Sequence, residues 1–173
     1  MEIPEDNIKK SDRINNDSQI KIIGFGNQYM SDDAVGIKVV NLLKEHEISN
    51  RGNLEIIDGG TSGVDLIFLL KNTRKAIIID AVDAGQPGGQ VIVFSPDQVK
   101  EFKKCKNAFK SFSLHDIDLV EVFELIKTLD LKTKIRIIGI KPEKIGFGEN
   151  LSPVVEGKIP EIISLVLKEV EEI

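Results

Sequence analysis

The chain has 173 residues, 41% hydrophobic and 29% charged, enough apolar side chains for one buried core and too many for wholesale disorder. Its formal net charge of −5, from 23 basic and 28 acidic residues, argues against a nucleic-acid partner, which demands a basic face. No apolar run approaches the roughly 18 residues of a membrane span. The polar first residues lack the apolar centre of a signal peptide. Cys105 is the one cysteine, which excludes an intramolecular disulfide and a CxxC metal site. A cytoplasmic protein is expected, and a monomer, because no coiled-coil or apolar-patch signal stands out.

Residues 1–18 carry neither helix nor strand period and read as an arm ahead of a single domain spanning 19–173. Gln19–Phe25 is a short apolar run stopped by Gly26-Asn27 and predicts a first, buried strand. A helix should follow, with Ser31 as cap and Asp32 and Asp33 in its first turn. Val35, Val39, Leu42 and Leu43 then share one face. Leu54–Ile57 predicts a second strand, ended by Asp58-Gly59-Gly60-Thr61, and Val64–Lys71 a short helix.

Ala76–Val82 is a third strand, apolar throughout except for Asp80, and Gln90–Phe94 a fourth. Only Asp83–Gly89 separates these two, too few residues for a parallel crossover, so they are expected to pair antiparallel. Ser95-Pro96 opens a short helical piece. Ser113–Asp116 precedes an amphipathic helix bearing Leu119, Val122, Phe123, Ile126 and Leu129 on one face. Lys134–Ile140 is the fifth strand, and Ile159–Glu172 the last helix, with Pro160 in its first turn. The alternation predicts an α/β three-layer sandwich: a five-stranded, mostly parallel sheet with one antiparallel strand and helices on both faces.

In such sheets ligands gather beyond the carboxyl ends of the strands, where strand order reverses. Asp32, Asp33, Asp58, Asp80 and His115 all fall near such ends. Asp80 is the most informative, because a carboxylate buried among isoleucines costs several kcal/mol unless it is bonded, protonated or bound to a cation. It either caps amides at a strand end or serves a metal or catalytic role. Asp33 and Asp32 are equally compatible with the helix dipole, and spacing does not separate them. Asp58 before two glycines has a turn-forming alternative, His115 a capping one, and His46 at a helix end reads as solvated.

Two carboxylates and an imidazole suit a borderline divalent ion such as zinc or nickel and leave coordination positions open. Gly24-Phe25-Gly26-Asn27 lacks the third glycine of a dinucleotide fingerprint, and no P-loop is present. A G-x-S-x-G serine elbow is absent as well.

Gly24–Asn27, Ser31-Asp32-Asp33 and Gly36 resemble the opening motif of the hydrogenase maturation proteases. Asp58–Thr61, Ile78–Ala81, Ser113–Asp116, Ile138–Pro142 and Leu151-Ser152-Pro153 follow in that family's order. The resemblance implies an endopeptidase that removes the C-terminal extension of a nickel–iron hydrogenase large-subunit precursor after nickel insertion. It implies that Asp33, Asp80 and His115 contact the nickel carried by the substrate, with Asp33 and Asp80 the candidate catalytic carboxylates. A zinc or nickel ion bound at the same site in the isolated protein is a further possibility. Asp58, Gly59, Gly60 and Thr61 are candidates for contacting the substrate. Metal-driven and carboxylate-driven hydrolysis both fit. The alternatives are a nickel-dependent chaperone or docking protein that does not cut, and a small nucleotide-binding protein.

Overall fold

The computed structural model describes residues 19–99, 111–112 and 119–172. The strands are β1 (Ile20–Phe25), β2 (Leu54–Gly60), β3 (Lys75–Asp83), β4 (Val91–Phe94), β5 (Ser111–Phe112) and β6 (Lys134–Ile140). The helices are α1 (Val35–Glu45), α2 (Asp65–Leu69), α3 (Leu119–Thr128), α4 (Pro153–Glu156) and α5 (Ile159–Glu171). Short 3-10 turns at Ser31–Ala34 and Glu47–Asn50 flank α1.

Five strands run in the order β2-β1-β3-β6-β4, with β5 attached to the end of β3 by two antiparallel pairs. The first four of that order are mutually parallel and β4 is antiparallel to β6. The expected antiparallel strand is therefore present, but its partner is corrected. β4 does not pair with β3, because β6 lies between them. The short connection after Asp83 spans the width of one strand. The two-residue β5 carries no apolar period and was not foreseen.

Pleating divides the core. Ile20, Ile22, Ile77, Ile79, Ala81, Ile138 and Ile140 pack with Val39, Val40 and Leu43 of α1 and Ile162, Val166 and Val170 of α5. The alternate residues Ile23, Phe25, Ala76, Ile78, Val82, Ile135 and Ile137 pack with Leu66 and Leu70 on one side of α2 and Val122, Phe123 and Ile126 of α3. Both faces of β1, β3 and β6 are thus covered, which is why these strands read as continuous apolar runs. Leu42 and Leu129, expected on buried faces, are about half exposed: Leu42 lies one position off the α1 stripe and Leu129 beyond the end of α3.

The amino ends of β3 and β6 are tied to α5 by a buried ionic cluster. Lys75 Nζ meets Glu169 Oε2 at 3.0 Å and the Glu172 carbonyl at 3.0 Å, and Arg136 Nε donates to Glu169 Oε1 at 3.0 Å. Burial pushes the Glu169 carboxyl up, but hydrogen bonds from Lys75 and Arg136 and their positive charges outweigh it and hold it below its ordinary value. A depressed carboxylate contributes stability that is fully present above the unfolded pKa of about 4.3 and is lost as pH falls towards the folded value. The melting temperature should stay flat from about pH 7 to 5 and fall below about pH 4, and Glu169→Gln should remove part of that fall. Lys75→Met should cost about 3 kcal/mol in denaturant unfolding, near the low end for a broken buried pair because Arg136 still faces Glu169.

Candidate active site at the carboxyl ends of β1 and β3

The chain leaves β1 for β2 on one side and later returns to β3 on the other, so strand order reverses between β1 and β3. This is the crevice where open α/β sheets place their ligands. The pairing of β1 with β3 ends at Gly24 and Ile79, and Asp80 is the next residue of β3, opposite Gly139 of β6. Asp80 is 0% exposed and its Oδ1 accepts from the Ala81 N–H at 2.8 Å.

Where β1 stops, the 3-10 turn Ser31–Ala34 packs against β3. Glycine makes this approach possible. A Cβ on Gly36 would stand 2.3 Å from the carbonyl oxygens of both Ile79 and Phe25, and a Cβ on Gly24 would stand 2.2 Å from the Gly36 carbonyl oxygen. Gly26, at φ +140, would drive a Cβ to 1.9 Å from the Asp33 carbonyl oxygen. The glycines that fail as a phosphate cradle serve instead to seat the start of α1 on the strand ends.

The turn also separates the two neighbouring aspartates. Asp33 is buried and its Oδ2 accepts from the Asn27 N–H at 2.8 Å. Asp32 is engaged elsewhere. Its Oδ2 accepts from the Glu143 and Lys144 N–H groups at 2.9 and 2.8 Å and from Ser152 Oγ at 2.9 Å, and its Oδ1 accepts from the Ser152 N–H at 2.6 Å. Asp32 is thus a clasp that holds the segment after β6. The expected capping role of Ser31 is corrected: no side-chain cap bond forms, and Ser31 adopts φ 51 with its N–H donating to the Gly148 carbonyl at 2.7 Å. A left-handed serine is held there because its own N–H and that of Asp32, which donates to the Lys144 carbonyl at 3.2 Å, are both bonded to the later loop. Asp32→Ala strands these donors and should lower stability by about 2–4 kcal/mol, read by urea unfolding.

Asp58 is exposed at the end of β2, and its Oδ1 accepts from the Gly60 N–H at 2.9 Å, an Asx-type turn. With Gly60 and Thr61 it forms one wall of a groove of about 270 Å³, the other wall being Gly26, Asn27, Gln28, Tyr29 and Ile37. Gly59 does not line this groove; it packs over the Phe25 ring, which a Cβ would meet at 2.7 Å. His46 is exposed, as expected, and its Nδ1 accepts from the Ile48 N–H at 3.2 Å. His115 and Cys105 lie outside the described residues. Among the described residues, no three His, Cys, Asp or Glu side chains gather as a metal site.

The family model for HycI, hydrogenase maturation protease, matches residues 37–169. The chain belongs to the hydrogenase maturation protease family. The hydrogenase expression/formation protein HupD of Thiocapsa roseopersicina is 30% identical over 154 residues, 88% of this chain and 67% of that one. The hydrogenase 2 maturation protease of Escherichia coli is 28% identical, covering 89% of this chain and 92% of its own. In structure, the hydrogenase maturating endopeptidase HybD from E. coli superposes with a TM-score of 0.75 at 27% identity, over 89% of this chain and 93% of that one. Proteins of the hydrogenase maturation protease family are peptide hydrolases. No helix among the described residues is long and apolar enough to cross a membrane.

Proposed function

We propose that this chain is an endopeptidase that removes the C-terminal extension of a nickel–iron hydrogenase large-subunit precursor once nickel has been inserted. The observation that carries the reading is the buried carboxylate of Asp80 at the strand-order reversal, with the turn bearing Asp33 packed on the same strand. Asp33, Asp80 and His115, all three assigned by resemblance, contact the substrate's nickel. Two carboxylates and an imidazole are donors suited to a borderline divalent ion. The same donors would hold zinc or nickel in the isolated protein.

Each side chain has a distinct task. Asp33, oriented by the Asn27 N–H, and Asp80, held in a strand, present fixed oxygens that lose little entropy on binding. Hydrolysis requires a base for the attacking water, and these carboxylates are the bases at hand. The groove beside Asp58, Gly60 and Thr61 receives extended chain, with Gly59 packed behind it. A precursor without nickel offers nothing for the three donors to bind, so its scissile peptide is not seated. Seating alone contributes several kcal/mol to a rate. Cleavage therefore acts as a checkpoint on metal insertion.

The test is a paired digestion. Nickel-loaded and nickel-free precursors are incubated with the protein and their masses followed. Shortening of the loaded form alone is expected. Failure on both, with stoichiometric binding of the loaded form, would instead establish the non-cutting docking protein.

A further inference from the structure

We infer that Phe147, with Tyr29 and Ile145, forms a rigid docking platform that receives an apolar patch of the precursor protein next to the scissile segment. The inference rests on the peptidase reading above for the identity of the partner. Phe147 is 92% exposed, Tyr29 54% and Ile145 53%. The backbone that carries this exposed phenylalanine is pinned from three directions. Asp32 takes the Glu143 and Lys144 N–H groups. The Gly148 N–H donates to the Tyr29 carbonyl at 2.9 Å, and the Ser31 N–H donates to the Gly148 carbonyl. Lys38 Nζ, from α1, donates to the Glu149 carbonyl at 2.7 Å.

Side chains exposed on a pre-ordered backbone bind with little further loss of entropy, which is what recognition surfaces require. The shape selects the partner class. No cavity encloses the Phe147 ring, so a small molecule, which needs a concave site, is disfavoured against a protein surface. Continuity selects the partner itself. Tyr29 belongs both to the platform and to the wall of the groove beside Asp58 and Thr61, and Asn27 of the same wall orients Asp33. A protein whose tail lies in that groove touches Tyr29, and the backbone carrying Phe147 is bonded to the Tyr29 carbonyl through Gly148.

The test measures both affinity and cleavage of nickel-loaded precursor with the full-length wild type, Phe147→Ser and Phe147→Leu. Phe147→Ser should weaken affinity about tenfold or more. Its melting temperature should not fall, since the Phe147 side chain is 92% exposed. Phe147→Leu should recover most of the affinity. Unchanged affinity in Phe147→Ser, with wild-type cleavage intact, overturns the platform and leaves the peptidase reading standing. A wild type that binds without cleaving, and binds less well as Phe147→Ser, overturns the peptidase reading and leaves the platform standing. A wild type that does neither overturns both.

Discussion

Replacing Asp80 with asparagine is expected to slow processing of nickel-loaded precursor by about a thousandfold or more, the equivalent of roughly 4 kcal/mol of lost transition-state stabilisation. The substitution keeps the shape of the side chain and an oxygen able to accept from the Ala81 N–H. It removes the negative charge, and with it the strongest attraction for a cation. Folding should not suffer. The isosteric amide keeps the bond to the Ala81 N–H at a position closed to solvent, so the strand end stays packed. The melting temperature of Asp80→Asn should therefore stay close to that of the wild type. A severe loss of activity with a parallel loss of stability would assign Asp80 to the scaffold instead. Precursor mass against time and a thermal melt, on the same preparation, distinguish the outcomes.

The second large effect is steric. Gly36→Ala adds a methyl group within a helix, and helix propensity alone predicts a gain of about 1 kcal/mol. Packing predicts the opposite. The new carbon would lie 2.3 Å from two backbone carbonyl oxygens, those of Ile79 and Phe25, neither of which is the end of a flexible side chain. Relief requires α1 to lift off the ends of β1 and β3, at a cost of about 3 kcal/mol or more. For a chain of this size the melting temperature should fall by about 6–12 °C. Processing should fall as well, because the lifted helix carries the Asp33 turn with it. Gly52→Ala is the control: nothing lies within 4 Å of the added carbon, and a change within about 0.5 kcal/mol is expected.

The strands at the centre of the sheet were legible because burial on both faces leaves an unbroken apolar run, as in Ile77-Ile78-Ile79 and Ile137-Ile138. The last helix was legible from its stripe and from Pro160. Strand order was not. The length of the connection after Asp83 constrains direction, and β4 is antiparallel, but length does not say that β6 will be inserted between β3 and β4. Asp80 announced itself by its chemistry, a carboxylate in an isoleucine run. Asp32 and Asp33 could not be told apart, because the groups that distinguish them are remote: the Glu143 N–H lies 111 residues from Asp32 and the Ser152 N–H 120. The only local hint was Ser152 before Pro153, which caps the short helix α4 through a bond from the Val155 N–H and also donates to Asp32. The wall of the groove was half visible, since Asp58–Thr61 and Gly26-Asn27 were each conspicuous at a strand end, and their meeting across β1 and β2 is a product of the parallel register.

The central claim is that Asp33 and Asp80 read the nickel in the precursor. It is tested most directly by the ratio of affinities for nickel-loaded and nickel-free precursor, measured with the wild type, Asp33→Asn and Asp80→Asn. The wild type should prefer the loaded form by about a hundredfold or more, some 3 kcal/mol, and both variants should bind the two forms alike. A preference that survives in both variants, or is missing from the wild type, would contradict the account.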